Sequence, residues 1–351
     1  MDKAIVFTHN LLAENFAKTC HGLLRGTDRF EILSVIDADH EGKDAGTVLN
    51  GSPLGIPVYS SMAQFFEHSN ESPEFCIVGV AFPGGVLPED CRKELLAAMD
   101  HGLSIICGLH HYLSEDPEFQ SSAKNNEVKL IDIRKPRPVS ELHFWTGEIL
   151  EVTVPVIAIL GSDCAVGKRT TARFIMEICR SRGIKTEMIY TGQTGWMQGY
   201  SHGFIFDATP NDFVSGEIER VVLECVDVSK PELILLEGQS SLRNPSGPCG
   251  SEFLLSGNAK GVVLIHPPGR KHFVDMEELG FQIPDIEDEI ELIQKYGSKV
   301  IGVGLNEEGC DMGRLRSIQQ AISKKMNIPV VLPLTDGVNE IVDGIQTFMN
   351  Q

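Results

Sequence analysis

Short apolar runs alternate with helically spaced segments along nearly the whole chain. In the first half KAIVF (3–7), FEILSVID (30–37), IPVY (56–59), EFCIVGVAF (74–82) and LSIICGLH (103–110) read as strands. Between them, LLAENFAKTCHGLLR (11–25), SMAQFFEH (61–68) and PEDCRKELLAAMDHG (88–102) have helical spacing, the last with a glycine placed to cap it. The strands are apolar almost without interruption. That is the pattern of parallel strands buried on both faces, because a half-exposed sheet alternates instead. The second half repeats it with VIAIL (156–160), TEMIYT (186–191), LILLE (233–237), GVVLIH (261–266), KVIGVGLN (299–306) and IPVVLPL (328–334). In TTARFIMEICRSRG (170–183), Ala172, Ile175, Met176 and Cys179 share one helix face. Residues 114–149 are polar, proline-bearing and poorly periodic, and read as the connection between halves. The expected fold class is α/β, with two three-layer parallel-sheet domains divided as 1–150 and 151–351.

A length of 351 residues suits two cores. The net charge of −19 changes the picture only by exclusion: with no basic block to offset it, it argues against a nucleic-acid or membrane-surface partner. A small anion remains compatible, since a few backbone N–H groups and one cation suffice for it. The nine cysteines include no CxxC pair and several lie in apolar runs, which reads as a reducing compartment without a disulfide framework. The opening MDKAIVFTHN has no signal-peptide core, and no apolar stretch approaches the ~20 residues of a bilayer span. A cytoplasmic location is expected.

The first half reads as Rossmann-like, but its first strand is followed by THNLLAEN and not by G-x-G-x-x-G. Without those glycines the backbone cannot come close to a pyrophosphate in the usual way.

The second half carries the stronger signal. In GSDCAVGKRT, Gly161 lets the chain leave its strand, Gly167 lets the backbone approach an anion, and Lys168 adds positive charge at the start of a helix. A glycine-rich strand-to-helix turn presents N–H groups and a helix N-terminus, which together bind phosphate. Ser162, Cys164, Ala165, Val166, Arg169 and Thr170 complete the expected phosphate cradle. Arg169 stands where an ATP-using loop places the Ser or Thr that holds magnesium. A guanidinium has only donors, and Thr170 is displaced by one residue, about 100° around a helix. Phosphates without a required magnesium, as in coenzyme A, suit this loop better than Mg·ATP.

Ligands of parallel sheets bind beyond the carboxyl ends of the strands. Glu237, His266 and Asn306 lie at such ends, the last placed to read a base ring. Asp207, Asp212 and Glu219 of DATPNDFVSGEIE are further polar candidates, though residues of this kind are ordinarily caps or loop polars. In the first half His110 follows a strand, and Arg134, Lys135 and Arg137 of DIRKPRP form either a solvated linker or a cationic strap near an anion. No His/Cys/Asp set has zinc-site spacing, so no metal is expected.

The loop GSDCAVGKRTT and the strand end LLEGQSS resemble the GTD…VGK loop and strand-end Glu-Gly of dethiobiotin synthetases, which have Thr directly after the Lys. A resemblance covering nearly the whole chain rests on KTCHGLLR (18–25), GVAFPGGVLP (79–88), GLHHYLSEDPE (108–118), DIRKP (132–136), GSDCAVGKRTTA, NDFVSGEIE and EGQSSL. Together these are similar to the D-glutamate N-acetyltransferase-like family, long catalogued as a domain of unknown function. The resemblance implies a Rossmann-like N-terminal half, a P-loop NTPase-like C-terminal half, and transfer of acetyl from acetyl-CoA to the amine of D-glutamate. Members of that family also lack Thr directly after the Lys.

On this reading CoA phosphates sit on residues 161–170 with Lys168, and His266, Asp163 and Glu237 are the candidate bases for the attacking amine. Backbone N–H groups of the same loop would serve the oxyanion. Arg270, Arg243 and Arg134, with His110, are the candidates for the acceptor's carboxylates. The alternatives are an ATP- and magnesium-dependent kinase or ligase of the dethiobiotin-synthetase kind, and a non-catalytic nucleotide-binding regulator. A homo-oligomer, such as a symmetric dimer, is expected.

Overall fold

The computed structural model describes residues 1–82, 85 and 87–351; Pro83, Gly84 and Val86 of the GVAFPGGVLP motif lie outside them. The chain forms two compact units, Met1–Pro136 with Gln193–Tyr200, and Arg137–Gly192 with Ser201–Gln351. Each is an α/β unit built on a parallel sheet, as the uninterrupted apolar runs require.

In the first unit the strands are β1 (Asp2–Phe7), β2 (Phe30–Ile36), β3 (Val58–Tyr59), β4 (Phe75–Val78), β5 (Ser104–Cys107) and β6 (Leu130–Asp132). Their order, β3-β2-β1-β4-β5-β6, is that of a Rossmann sheet. The helices are α1 (Lys18–Leu24), α2 (Ala45–Asn50), α3 (Met62–His68), α4 (Glu89–Asp100) and α5 (Pro117–Asn125). α4 ends as its composition predicts: Gly102 is left-handed and its N–H bonds the carbonyl of Met99.

Two expectations are corrected here. The helix expected over 11–25 is shorter, because His9 and Asn10 both take left-handed backbone after β1 and regular α-helix begins only at Lys18. The segment 114–149 is not merely a connection. Asp116 caps α5 by accepting from the N–H groups of Glu118 and Phe119, and Leu130–Asp132 adds a sixth strand beside β5. This strand is three residues long and half-buried, so it leaves little hydrophobic signature.

The buried Asp37, just past β2, holds the turn that follows β1. Its Oδ2 accepts from Thr8 Oγ1 at 2.7 Å and from the Leu12 N–H at 2.8 Å, while Oδ1 pairs with His40 Nδ1 at 2.7 Å. In dinucleotide-binding folds an acid here holds a ribose; in this chain it braces its own loop.

The second unit contains β7 (Val156–Gly161), β8 (Thr186–Tyr190), β9 (His202–Gly203), β10 (Leu233–Glu237), β11 (Gly261–His266), β12 (Lys299–Leu305) and β13 (Val330–Val331), in the order β13-β12-β11-β7-β10-β8-β9. α6 (Lys168–Ser181) follows β7 and buries Ala172, Ile175, Met176 and Cys179, the expected face. α7 (Gln193–Met197) belongs to the first unit, where Gln198 Nε2 donates to the carbonyls of Gly22 and Gly26, and Arg29 Nε donates to the carbonyl of Trp196. The remaining helices are α8 (Asn211–Ser229), α9 (Ser251–Leu255), α10 (Ile286–Lys295), α11 (Met312–Met326) and α12 (Asn339–Met349). Among the described residues, no helix is long and apolar enough to cross a membrane.

The NDFVSGEIE motif (211–219) carries structural contacts. It opens α8, and its two glutamates anchor the polar segment that starts the second unit. The buried Glu219 carboxylate accepts from the N–H groups of Thr146, Gly147 and Ile149 and from Thr146 Oγ1, at 2.6 to 3.2 Å. Glu217 accepts from the His143 N–H at 3.1 Å, from Arg137 at 3.0 Å and from Arg220 at 2.9 Å. Gly216 lies against the carbonyl of His143, leaving no room for a β-carbon.

Candidate functional site

β7 is flanked by β11 on one side and β10 on the other, and all three run parallel. The register pairs Ile265 with Gly161 and Glu237 with Ile159. The ends of three strands therefore converge where the chain leaves β7. A loop there meets the residues that follow β10, β11 and β12.

The loop itself is built around two left-handed residues, Ala165 (φ +52°) and Gly167 (φ +96°). At Gly167 a side chain would meet no neighbour, so glycine answers to backbone conformation alone. Gly161 answers to space: it is not left-handed, but a β-carbon there would come within 2.8 Å of Val166 and 3.1 Å of the Lys168 stem. α6 begins directly at Lys168. The first turn of a helix leaves its N–H groups without intrahelical acceptors, and the macrodipole adds positive potential.

Lys168 is buried, and its Nζ donates to the carbonyls of Asp163 and Ser240, both at 2.8 Å. Burial lowers its pKa, and the Asp163 and Glu237 carboxylates oppose that shift. An ammonium has three donors, and among the described residues two of them have carbonyl acceptors.

Asp163, fully buried, frames the loop. Its Oδ1 accepts from the Cys164 N–H at 2.7 Å and Asn244 Nδ2 at 3.1 Å; its Oδ2 accepts from Arg270 Nη1 at 2.8 Å and the Val274 N–H at 2.9 Å. Arg270 also donates to the Cys164 carbonyl and to Glu308. On the far side, Asn306 Nδ2 donates to the Val166 carbonyl at 3.1 Å and its Oδ1 accepts from the Glu308 N–H. Ser162 Oγ and His266 Nδ1 share a hydrogen bond of 2.9 Å, and burial pulls the His266 pKa down to about 4, so the ring is neutral at pH 7.

Glu237, at the end of β10, is also buried. One carboxylate oxygen accepts from the Thr191 N–H at 3.0 Å; the other lies 3.8 Å from Arg169 Nη1. Burial raises its pKa, and the Arg169 charge is the strongest opposing influence.

Thus the structure gathers Gly161 to Thr170, Glu237, His266, Arg270 and Asn306 around one loop. Arg243 neighbours Asn244 in the chain, but its Nε donates to the buried Glu289 of α10 at 2.6 Å. Arg134 and His110 group together in the first unit. Arg134 donates to His110 Nε2 at 3.2 Å, to the Gly108 carbonyl at 2.6 Å and to Gln193 Oε1 at 3.0 Å. Ser240, Asn244 and Val274 support the loop without having been singled out by sequence. Only EGQSSL hinted at one of them, through its place after a strand end. Among the described residues no group of three or more His, Cys, Asp or Glu is arranged to hold a metal.

A parallel sheet whose central strand runs through such a loop into a helix that starts on lysine is a P-loop unit. Residues 143–342 match a domain of unknown function described as the DUF1611 C-terminal P-loop domain, and residues 38–136 match the DUF1611 N-terminal Rossmann-like domain. The chain belongs to the DUF1611 family. It is 29% identical over 276 residues to a protein of Pseudoalteromonas named D-glutamate N-acetyltransferase, covering 77% of this chain and 80% of that one. A protein of the same name from Tritonibacter scottomollicae is 26% identical over the same shares. The fold matches the crystal structure of a DUF1611 family protein from Anabaena variabilis, with a TM-score of 0.89, 23% identity, and coverage of 99% of this chain and 100% of that one.

Proposed function

We propose that the P-loop unit holds the phosphates of acetyl-CoA and that the protein transfers the acetyl group to the amine of an amino acid. D-Glutamate is the acceptor that the names of its relatives suggest. The observation that carries this reading is the cradle around Lys168: a left-handed Gly167, a helix N-terminus and a buried ammonium, with a guanidinium where a kinase needs a hydroxyl.

In the reaction the neutral amine nitrogen forms a C–N bond to the thioester carbonyl carbon, the C–S bond breaks, and the proton lost from the amine ends on the departing thiolate, giving the amide and the CoA thiol. A long pantetheine arm separates the thioester from the phosphates of CoA. With phosphates on residues 161–170, the amine and its base therefore belong an arm's length away. This favours supporting roles for the sequence-derived candidates next to the loop. Asp163 already accepts four donors and sets the loop's shape. Arg270 neutralises it. Asn306 ties Val166 in place instead of waiting for a base ring. Neutral His266 positions Ser162. Glu237 answers Arg169, and Arg243 answers Glu289. Arg134 and His110 stay the first unit's candidates for a carboxylate ligand.

The test is thermal unfolding with acetyl-CoA, CoA, and ATP with and without magnesium, followed by thiol release with D-glutamate. A ligand at 100 times its dissociation constant should stabilise the chain by about 2.7 kcal/mol. Stabilisation by Mg·ATP but not by acetyl-CoA would favour the kinase or ligase reading instead.

A further inference from the structure

We infer that Arg169 is a built-in cation in the place of a divalent metal, so that this loop grips phosphate without magnesium and uses it as a handle, not as the group transferred. This rests on the reading that the loop binds phosphate.

In ATP-using P-loops, magnesium is held between the hydroxyl after the lysine and an acid at the end of a strand. Here the residue after the lysine is Arg169, and Glu237 ends β10, the neighbour of β7. Arg169 Nη1 lies 3.8 Å from Glu237 Oε1, so the guanidinium takes up the charge position between those two places. Glu237 is 3% exposed, and a buried carboxylate requires a cation or a set of donors. The Thr191 N–H serves one oxygen and Arg169 faces the other; the Lys168 charge and the Gly192 backbone also favour the carboxylate, and Arg169 is the strongest of these influences. A dication bound at Glu237 would have to sit against the guanidinium, and like charges repel beside a buried carboxylate. The Arg169 side chain is 22% exposed, so it reaches outward from the buried acid. A guanidinium has five donors, enough to face Glu237 with one edge and a phosphate with another.

The experiment is titration calorimetry on the full chain, with inorganic pyrophosphate and acetyl-CoA as separate probes, each in EDTA and in magnesium. Wild type is expected to bind pyrophosphate in EDTA at least as tightly as in magnesium. Arg169→Thr is expected to lose at least about tenfold in EDTA, the scale of a charged hydrogen bond, and to regain affinity when magnesium is added. Arg169→Lys keeps the charge, and therefore the fold around Glu237; it should still bind in EDTA and gain nothing from magnesium. The inference is overturned if wild type needs magnesium, if Arg169→Thr binds as well as wild type in EDTA, or if Arg169→Lys becomes magnesium-dependent. The acetyl-CoA arm separates the two readings. Arginine-dependent pyrophosphate binding without acetyl-CoA binding would sustain this inference and overturn the acyl-donor proposal. Binding of neither probe would overturn both.

Discussion

Arg270 Nη1 donates to Asp163 Oδ2 at 2.8 Å, joining the loop after β11 to the loop after β7 across 107 residues of sequence. With Asn244 and the Val274 N–H, this pair fixes the start of the loop between β7 and α6 from three directions. Removing the acid takes the acceptor from the Asn244 amide and from the N–H groups of Cys164 and Val274, and leaves the Arg270 guanidinium without its buried counter-charge. Asp163→Ala should therefore cost about 3 kcal/mol in urea unfolding. A catalytic base would behave differently: kcat would fall with the unfolding midpoint unchanged.

His266 titrates at about 4 because burial disfavours its charged form. The unfolded chain takes up that proton near the ordinary histidine value of 6.5. Between pH 6.5 and about 4 the unfolded state therefore binds more protons, and stability falls as pH falls. His266→Gln should flatten this part of the stability profile. In the steady state it should raise the KM for acetyl-CoA and leave the pH dependence of kcat unchanged. Loss of an ionisation from the kcat profile would make His266 the base instead.

The segment 137–150 is held to α8 through Glu217 and Glu219. Glu219→Ala should expose it to limited proteolysis, with cleavage between Arg137 and Leu150. Gly216→Ala forces a methyl group into the His143 carbonyl and should destabilise the chain by about 1–3 kcal/mol in thermal or chemical unfolding. Wild-type stability in Gly216→Ala would show that the segment can lift away at little cost.

Gly167 is left-handed with open space around it. Gly167→Ala should cost only about 1 kcal/mol of stability, the penalty of a strained backbone, yet weaken phosphate-ligand binding by distorting the row of N–H groups. Unchanged calorimetric affinity would mean that the loop backbone does not touch the ligand.

The parallel sheets were legible because strands buried on both faces have no polar positions to blur the pattern. The cradle was legible because Gly-Lys at a strand-to-helix junction is a local signal. What supports it was not. Asp163, Arg270, Asn244 and Ser240 are brought together by strand order, and none of their pairings leaves a mark in sequence spacing. The short edge strand β6 was missed for lack of apolar length, and the attachment of Gln193–Tyr200 to the first unit rests on side-chain bonds from Thr194 and Gln198. For Glu219, read as either a polar candidate or a loop residue, the anchoring contacts became visible only through its four donors.

The central claim, that this loop holds the phosphates of an acyl-CoA, is tested most directly by calorimetric titration of acetyl-CoA into wild type and Lys168→Ala without added metal. The account predicts saturable one-site binding to wild type, weakened at least about tenfold in the variant by loss of a charged donor. Equal affinity in the two proteins would contradict it.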